Sequence, residues 1–116
     1  MNAFLKSFRY AVKGIKVVVK EQRNFKILLF IAAIVIAFGF YFSITTAEWI
    51  AIILVIGMVL AMEMINTSIE YIINMISPEY SHVAGKIKDI AAGATMIAAI
   101  ASVIIGFIIF KKYLLG

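Results

Sequence analysis

Six polar residues recur at helical spacing within one strongly apolar part of the chain, and two of them are carboxylates. We call them the polar stripe: Glu63, Asn66, Thr67, Glu70, Asn74 and Ser77. Because successive residues of an α-helix are rotated by about 100°, all six would fall within an arc of roughly 100°. A carboxylate inside a bilayer costs a few kcal/mol, so an ionisable pair at such a place indicates a functional site.

The residue types of the polar stripe suit the transfer of a phosphoryl group. One carboxylate could hold a divalent cation, which prefers oxygen ligands, and another could accept the proton of an alcohol. Lys88 follows the stripe in the chain and could hold phosphates together with the cation. The sequence has no G-x-x-x-x-G-K-[ST] loop, so helix faces would have to bind a nucleotide. The simpler alternative is that the polar groups only join helices together.

The composition excludes several other classes of protein. Hydrophobic residues make up 65% of the 116 residues, and the mean hydropathy is +1.09, which calls for lipid as the solvent. There is no cysteine and only one histidine, His82, so cysteine- or histidine-rich metal sites are excluded. The net charge of +5 does not indicate nucleic acid, because seven of the eleven Lys and Arg residues precede the first apolar run. That long basic stretch also argues against a cleaved signal peptide.

The pattern of apolar residues predicts an all-α integral membrane protein that forms a single domain over residues 1–116. Near the N-terminus, basic residues recur every three or four positions among apolar ones, which predicts an amphipathic helix in the headgroup layer. Three long apolar runs after it predict three membrane-spanning helices. Ser77 and Pro78 end the second span, and Thr46 is the expected N-cap of that span. The expected ranges are 4–20 for the amphipathic helix, 27–42, 48–76 and 90–110 for the spans, and 43–48 and 79–85 for the connections.

The distribution of positive charge predicts the orientation in the membrane. With a cytoplasmic N-terminus, nine Lys and Arg residues lie inside and only Lys111 and Lys112 lie outside. We therefore expect a multi-pass protein of the bacterial inner membrane. The same orientation places the polar stripe and Lys88 on the cytoplasmic side, where ATP is found.

Three segments together resemble a known family. Residues 63–70, EMINTSIE, fit the pattern E-x-x-N-[ST]-[SA]-I-E, and residues 88–94, KDIAAGA, fit K-D-x-A-A-G-A. Residues 6–15, KSFRYAVKGI, fit K-S-F-x-x-A-x-x-G-I. The order and spacing of these motifs resemble those of the small prokaryotic membrane kinases, the diacylglycerol kinase and undecaprenol kinase family.

This resemblance implies a homotrimer of three-span subunits whose active sites are shared between neighbouring chains. It also implies transfer of the γ-phosphate of ATP, bound with Mg²⁺, to a lipid alcohol. Glu63 matches the catalytic base, Asn66 a residue that orients the site, and Glu70 a magnesium ligand that also contacts the nucleotide complex. The other positions that match nucleotide contacts are Tyr10, Glu79, Tyr80, Lys88 and Asp89.

The chain departs from the family pattern at two positions. The second metal ligand of the family is a Glu three residues before a Phe, but here that position is Gln22, and Glu21 stands one residue earlier. A shift of one residue turns a helical side chain by about 100°, so Glu21 could replace the missing ligand only if the helix ends or bends there. Asn74 replaces the usual Asp and keeps its size and hydrogen bonding.

The sequence favours undecaprenol over diacylglycerol as the lipid alcohol. Asn66-Thr67, residues 91–94 and residues 6–8 resemble the undecaprenol kinase branch, whereas Tyr80 and Gly85 resemble the diacylglycerol kinase branch. A different class of function stays open at this point: a small proton-coupled transporter that exchanges protons at Glu63.

Overall fold

The computed structural model describes residues 2–116 and arranges them as four α-helices. These are α1 (Ala3–Glu21), α2 (Arg23–Phe42), α3 (Thr46–Ile76) and α4 (His82–Leu115). In this range there is no strand, and α2, α3 and α4 are long and apolar enough to cross a membrane. The predicted all-α architecture with three spans after an N-terminal amphipathic helix is therefore confirmed.

A single residue separates α1 from α2. Gln22 has extended backbone angles, φ −111° and ψ 110°, and its N–H donates to the carbonyl oxygen of Val18, which closes the last turn of α1. Phe25, in the first turn of α2, is buried and fixes the start of that helix in the protein. The chain therefore changes direction directly after Glu21.

The connection between α2 and α3 is shorter than predicted, and the predicted N-cap was wrong by one residue. Thr45 caps α3: its hydroxyl accepts from the N–H of Glu48 at 3.2 Å, and the Glu48 carboxylate accepts from the N–H of Thr45 at 2.9 Å. This reciprocal pair needs a Glu three residues after the cap, which Thr45 has and Thr46 lacks. Helix α3 therefore begins at Thr46, two residues earlier than expected.

A cluster of buried apolar residues lies where α2 ends, α3 begins and α4 ends. We call this region the packed end; its buried residues are Ile44, Ile52, Ile109 and Phe110. The Trp49 ring packs so closely on Gly39 that a Cβ there would lie 2.6 Å from the ring. Such close apolar packing leaves little room for added volume in this region.

A polar network closes the packed end. The Glu48 carboxylate pairs with the Lys112 ammonium at 2.7 Å and accepts from the Tyr113 hydroxyl at 2.6 Å. Only 13% of the Glu48 side chain is exposed. The network therefore ties the first turn of α3 to the last turn of α4.

Helix α4 begins eight residues before the predicted span. The Ser81 hydroxyl accepts from the N–H of Ala84 at 3.0 Å and so caps a helix that starts at His82. The contact between α3 and α4 is more extensive than the contact between α2 and α3. The alanines at positions 84, 91 and 98, spaced by seven residues, are buried and allow the two helices to approach closely.

Candidate functional site

The polar stripe faces the interior of the protein over its middle turns. Thr67 is 3% exposed and Asn66 is 8% exposed, and Glu63 and Glu70 are half-buried beside them. Helix α3 has 31 residues, a length of about 46 Å, which exceeds the roughly 30 Å of a bilayer core. The stripe occupies the part of α3 that lies farthest from the packed end.

Asn66 and Glu70 form a hydrogen-bonded pair one helical turn apart. The amide Nδ2 of Asn66 donates to Oε1 of Glu70 at 3.1 Å. Because an ionised carboxylate only accepts, this bond fixes which way the amide points. The amide Oδ1 is buried and has no hydrogen-bond partner within residues 2–116. It is an acceptor that a substrate or a second chain could use.

The Glu63 carboxylate is held less tightly than its neighbours. The Thr67 hydroxyl donates to the backbone carbonyl of Glu63 at 2.9 Å, which leaves the Glu63 side chain out of that bond. Across the part of the chain that the structure describes, no hydrogen bond occupies the Glu63 carboxylate oxygens. A half-buried carboxylate with open oxygens can accept a proton from a group that approaches it.

A second group of predicted residues lines a pocket between the end of α3 and the start of α4. The Lys88 ammonium donates to Oδ1 of Asn74 at 2.6 Å, which confirms the expectation that Lys88 lies beside the polar stripe. Glu79 and Tyr80 lie on the same pocket, which has a volume of about 230 Å³. Leaving aside Glu70, which is also a predicted metal ligand, five positions were predicted to contact the nucleotide. The pocket brings together three of them: Glu79, Tyr80 and Lys88.

The junction of α1 and α2 contacts α3 at Tyr71, the residue that follows Glu70. The Tyr71 hydroxyl donates to Oε1 of Glu21 at 2.7 Å and accepts from Nε2 of Gln22 at 3.0 Å. The helix break at Gln22 meets the condition under which Glu21 could replace the family ligand. Sequence reasoning missed Tyr71, because no local pattern connects it with residues 50 positions earlier.

Two predicted site residues stand apart from these groups. Tyr10 is exposed on α1, where the Lys13 ammonium lies 5.8 Å from the centre of its ring. Asp89 is exposed on α4, and neither residue hydrogen bonds to another predicted site residue within the described range. Among residues 2–116, no three His, Cys, Asp or Glu side chains cluster closely enough to hold a metal ion.

Comparison with known proteins identifies the family of this chain. The sequence profile named "Prokaryotic diacylglycerol kinase" matches residues 9–110, which is most of the chain. The chain belongs to the prokaryotic diacylglycerol kinase family. The predicted family is therefore confirmed, and with it the expectation of a multi-pass membrane enzyme of the lipid kinase type.

Individual relatives come from both branches of this family. The undecaprenol kinase of Bacillus subtilis is 37% identical over 110 residues, 95% of this chain and 89% of the relative. The diacylglycerol kinase of Synechocystis is 36% identical over 103 residues, 88% of this chain and 59% of the relative. The diacylglycerol kinase of Haemophilus influenzae is 29% identical over 111 residues, which are 95% of this chain and 94% of the relative. None of these names supports the alternative of a proton-coupled transporter.

Proposed function

We propose that this protein transfers the γ-phosphate of ATP to the hydroxyl of a membrane lipid alcohol. The observation that carries the proposal is the half-buried Glu63 on the same face of α3 as the bonded pair Asn66 and Glu70. Membership of a lipid kinase family supports the reaction type. We further propose that residues 1–116 act as one domain.

In this proposal Glu63 is the base. Its open carboxylate oxygens take the proton of the alcohol while the alcohol oxygen attacks the γ-phosphorus and the bond to the β-phosphate oxygen breaks. Asn66 is proposed to orient the site by holding Glu70 through its Nδ2, while the hydroxyl proton of the alcohol points at Glu63. The proton thus moves from the lipid hydroxyl to Glu63, and ADP leaves.

The nucleotide is proposed to bind at the pocket between α3 and α4. Lys88 offers a positive charge to the phosphates, and Glu79 and Tyr80 lie on the same pocket wall. Asp89 and Tyr10 are proposed to complete the contacts. Tyr10 lies apart from the other residues of its own chain, so we propose that a neighbouring chain supplies it within a homotrimer.

Magnesium is the proposed metal. It is usually bound in proteins by one or two carboxylates together with substrate phosphates, so a cluster of three protein ligands is not required. Glu70, Glu21 and the amide oxygen of Gln22 supply hard oxygen donors of the right kind, and Tyr71 draws the latter two towards α3. When bound, Mg²⁺ would neutralise the charge that develops on the transferred phosphoryl group.

Undecaprenol is the favoured acceptor, with diacylglycerol as the next candidate. The motifs around residues 66–67, 91–94 and 6–8 support this order, and the similarity to an undecaprenol kinase over 95% of the chain agrees with it. Either alcohol places its hydroxyl at the interface and its tail in lipid. We propose that this interface is the cytoplasmic face of the inner membrane, with the N-terminus in the cytoplasm.

The test of the proposed reaction is product analysis with purified protein in mixed micelles. Radiolabelled ATP, Mg²⁺ and a panel of lipid alcohols are supplied, and labelled phospholipid is expected with undecaprenol first and diacylglycerol second. Absence of any phospholipid product, together with proton-coupled flux in vesicles, would overturn the kinase proposal.

The proposed sharing of active sites has a separate test. Chains carrying Tyr10→Ala and chains carrying Glu63→Gln are both expected to be inactive when assembled alone. Assembled together, they should recover part of the activity, because some sites then combine an intact Tyr10 with an intact Glu63. Failure of the mixed assemblies to recover activity would place Tyr10 and Glu63 of one site on the same chain.

A further inference from the structure

The Tyr71 hydroxyl sits between two side chains from the junction of α1 and α2. It accepts a hydrogen bond from the Gln22 amide at 3.0 Å and donates one to the Glu21 carboxylate at 2.7 Å. Tyr71 lies one turn after the buried Thr67 and directly follows Glu70 on α3. The Tyr71 phenol therefore joins α3, next to the proposed metal ligand Glu70, to Gln22, where the chain departs from the family pattern, and to the neighbouring Glu21.

The direction of these bonds depends on the residue type at position 22. A glutamine Nε2 can only donate, so the phenol oxygen accepts from it and its own proton is left for the Glu21 carboxylate. A glutamate at position 22 would present a second acceptor, and one phenol proton cannot serve two carboxylates. The replacement of the family glutamate by Gln22 thus commits the Tyr71 proton to Glu21.

The geometry points to Tyr71 as a positioning residue that fixes Glu21 as the second carboxylate of the magnesium site; this inference rests on the proposed function. The bond to Tyr71 uses Oε1 of Glu21 and leaves Oε2 and the negative charge for a cation. Groups that hydrogen bond to a ligand in this way set its orientation and its affinity for the metal.

The helix break explains why a tyrosine is needed. Glu21 is the last residue of α1 and is exposed, so nothing in its own helix fixes the rotamer of its carboxylate. Tyr71 belongs to α3, the helix that carries Glu70. The phenol therefore ties Glu21 to the same rigid element as the other proposed carboxylate ligand.

The inference is tested by metal binding rather than by turnover. Mn²⁺ replaces Mg²⁺, and its binding is followed by electron paramagnetic resonance on the purified full-length protein with a non-hydrolysable ATP analogue. Tyr71→Phe removes only the hydroxyl and should weaken Mn²⁺ binding about tenfold. Tyr41→Phe is the matched control, since Tyr41 is an exposed tyrosine of α2 near the packed end, and it should leave Mn²⁺ binding unchanged.

A second set of variants separates positioning from a purely structural role. Gln22→Glu restores the charged ligand of the family and should bind Mn²⁺ more tightly than the wild type. In that background Tyr71→Phe should change the affinity by less than about twofold, because Glu21 is no longer needed. A tenfold loss that persists with Gln22→Glu present would overturn the positioning role.

The remaining outcomes are equally decisive. Equal Mn²⁺ affinity in the wild type and Tyr71→Phe overturns the inference but leaves the proposed kinase intact. Failure of the wild type itself to bind Mn²⁺ with the nucleotide overturns the proposed metal site, and the inference with it. If Tyr71→Phe does not fold, Glu21→Gln takes its place: an unchanged Mn²⁺ affinity would overturn the inference, because Tyr71 would then have no ligand to position.

Discussion

The two ends of the helical bundle treat their polar groups in opposite ways. At the packed end, the Glu48 carboxylate receives hydrogen bonds from the Thr45 backbone, Lys112 and Tyr113, while aromatic and aliphatic side chains fill the space around it. At the other end, the Glu63 carboxylate and the buried Oδ1 of Asn66 lack such partners within residues 2–116. A satisfied carboxylate stabilises the fold, whereas an open one can react.

From this comparison we propose that stability and chemistry depend on separate regions of the same long helix. Helix α3 carries Glu48 in its first turn and Glu63 and Glu70 several turns later. Substitution of carboxylates that look alike in the sequence should therefore have different consequences at the two ends. Four predictions test that division.

The largest effect is expected from Glu63→Gln. The amide cannot take the proton of the alcohol, so turnover should fall by at least about a hundredfold while binding of the nucleotide is retained. Phosphorylation assays and binding of a labelled ATP analogue measure the two properties. Glu48→Gln is the matched control: it should lower the melting temperature in detergent and leave turnover unchanged. Equal loss of turnover in both variants would contradict the division.

Glu70→Gln should mainly affect the metal requirement. Loss of one charged ligand is expected to raise the Mg²⁺ concentration needed for half-maximal activity about tenfold. The bond from Asn66 can still form to the amide oxygen, so the fold of α3 should be kept. A magnesium titration of activity measures the change, and an unaltered titration curve would show that Glu70 is not a ligand.

Gly39→Ala should disturb the packed end alone. Its new Cβ would lie 2.6 Å from Cη2 of Trp49 and 3.2 Å from Cδ1 of Ile44, which forces the ring or the helix to move. Overpacking of this kind costs about 1–3 kcal/mol, so the free energy of unfolding in detergent should fall by that amount. Gly57→Ala is the control, because a Cβ there meets nothing within 4 Å in the chain. A comparable loss for Gly57→Ala would show that crowding is not the cause.

Asn74→Asp should have the smallest effect. The 2.6 Å bond from Lys88 would become an ion pair, and an exposed pair of this kind contributes less than about 1 kcal/mol. The apparent KM for ATP should therefore change by less than about fivefold. A change of more than tenfold would mean that the charge at residue 74 acts on the nucleotide directly.

Features that extend over many residues, such as long apolar runs and the amphipathic pattern at the start of the chain, predicted most of the fold. The apolar runs placed three spans and the basic, amphipathic start of the chain placed α1, because burial in lipid demands long uninterrupted apolar segments. Helix starts were predicted less well. Thr45 and Thr46 are both good caps, and only the Glu48 that follows Thr45 by three residues decides between them. Ser81 has the same role for α4.

The part of the candidate site that lies on a single helix could be predicted from the sequence. The stripe residues from Glu63 to Asn74 lie on α3, so their shared face follows from helical rotation alone, whereas Ser77 is the C-cap just beyond the helix. Lys88 follows soon after in the chain. The approach of Glu21 and Gln22 to Tyr71 could not be predicted in this way. It depends on the angle between α1 and α2, which a one-residue break sets and which has no periodic signature in the sequence.

That one-residue break should also make the protein sensitive to the thickness of the bilayer. A bilayer thinner or thicker than the hydrophobic length of α2 changes the tilt of that helix. If α1 lies in the headgroup layer, as the sequence predicts, the altered tilt must be absorbed at Gln22, and Glu21 should move with it. Acyl-chain length of the host lipid should thus modulate the metal requirement, even though the host lipid, unlike the substrate alcohol, takes no part in the reaction.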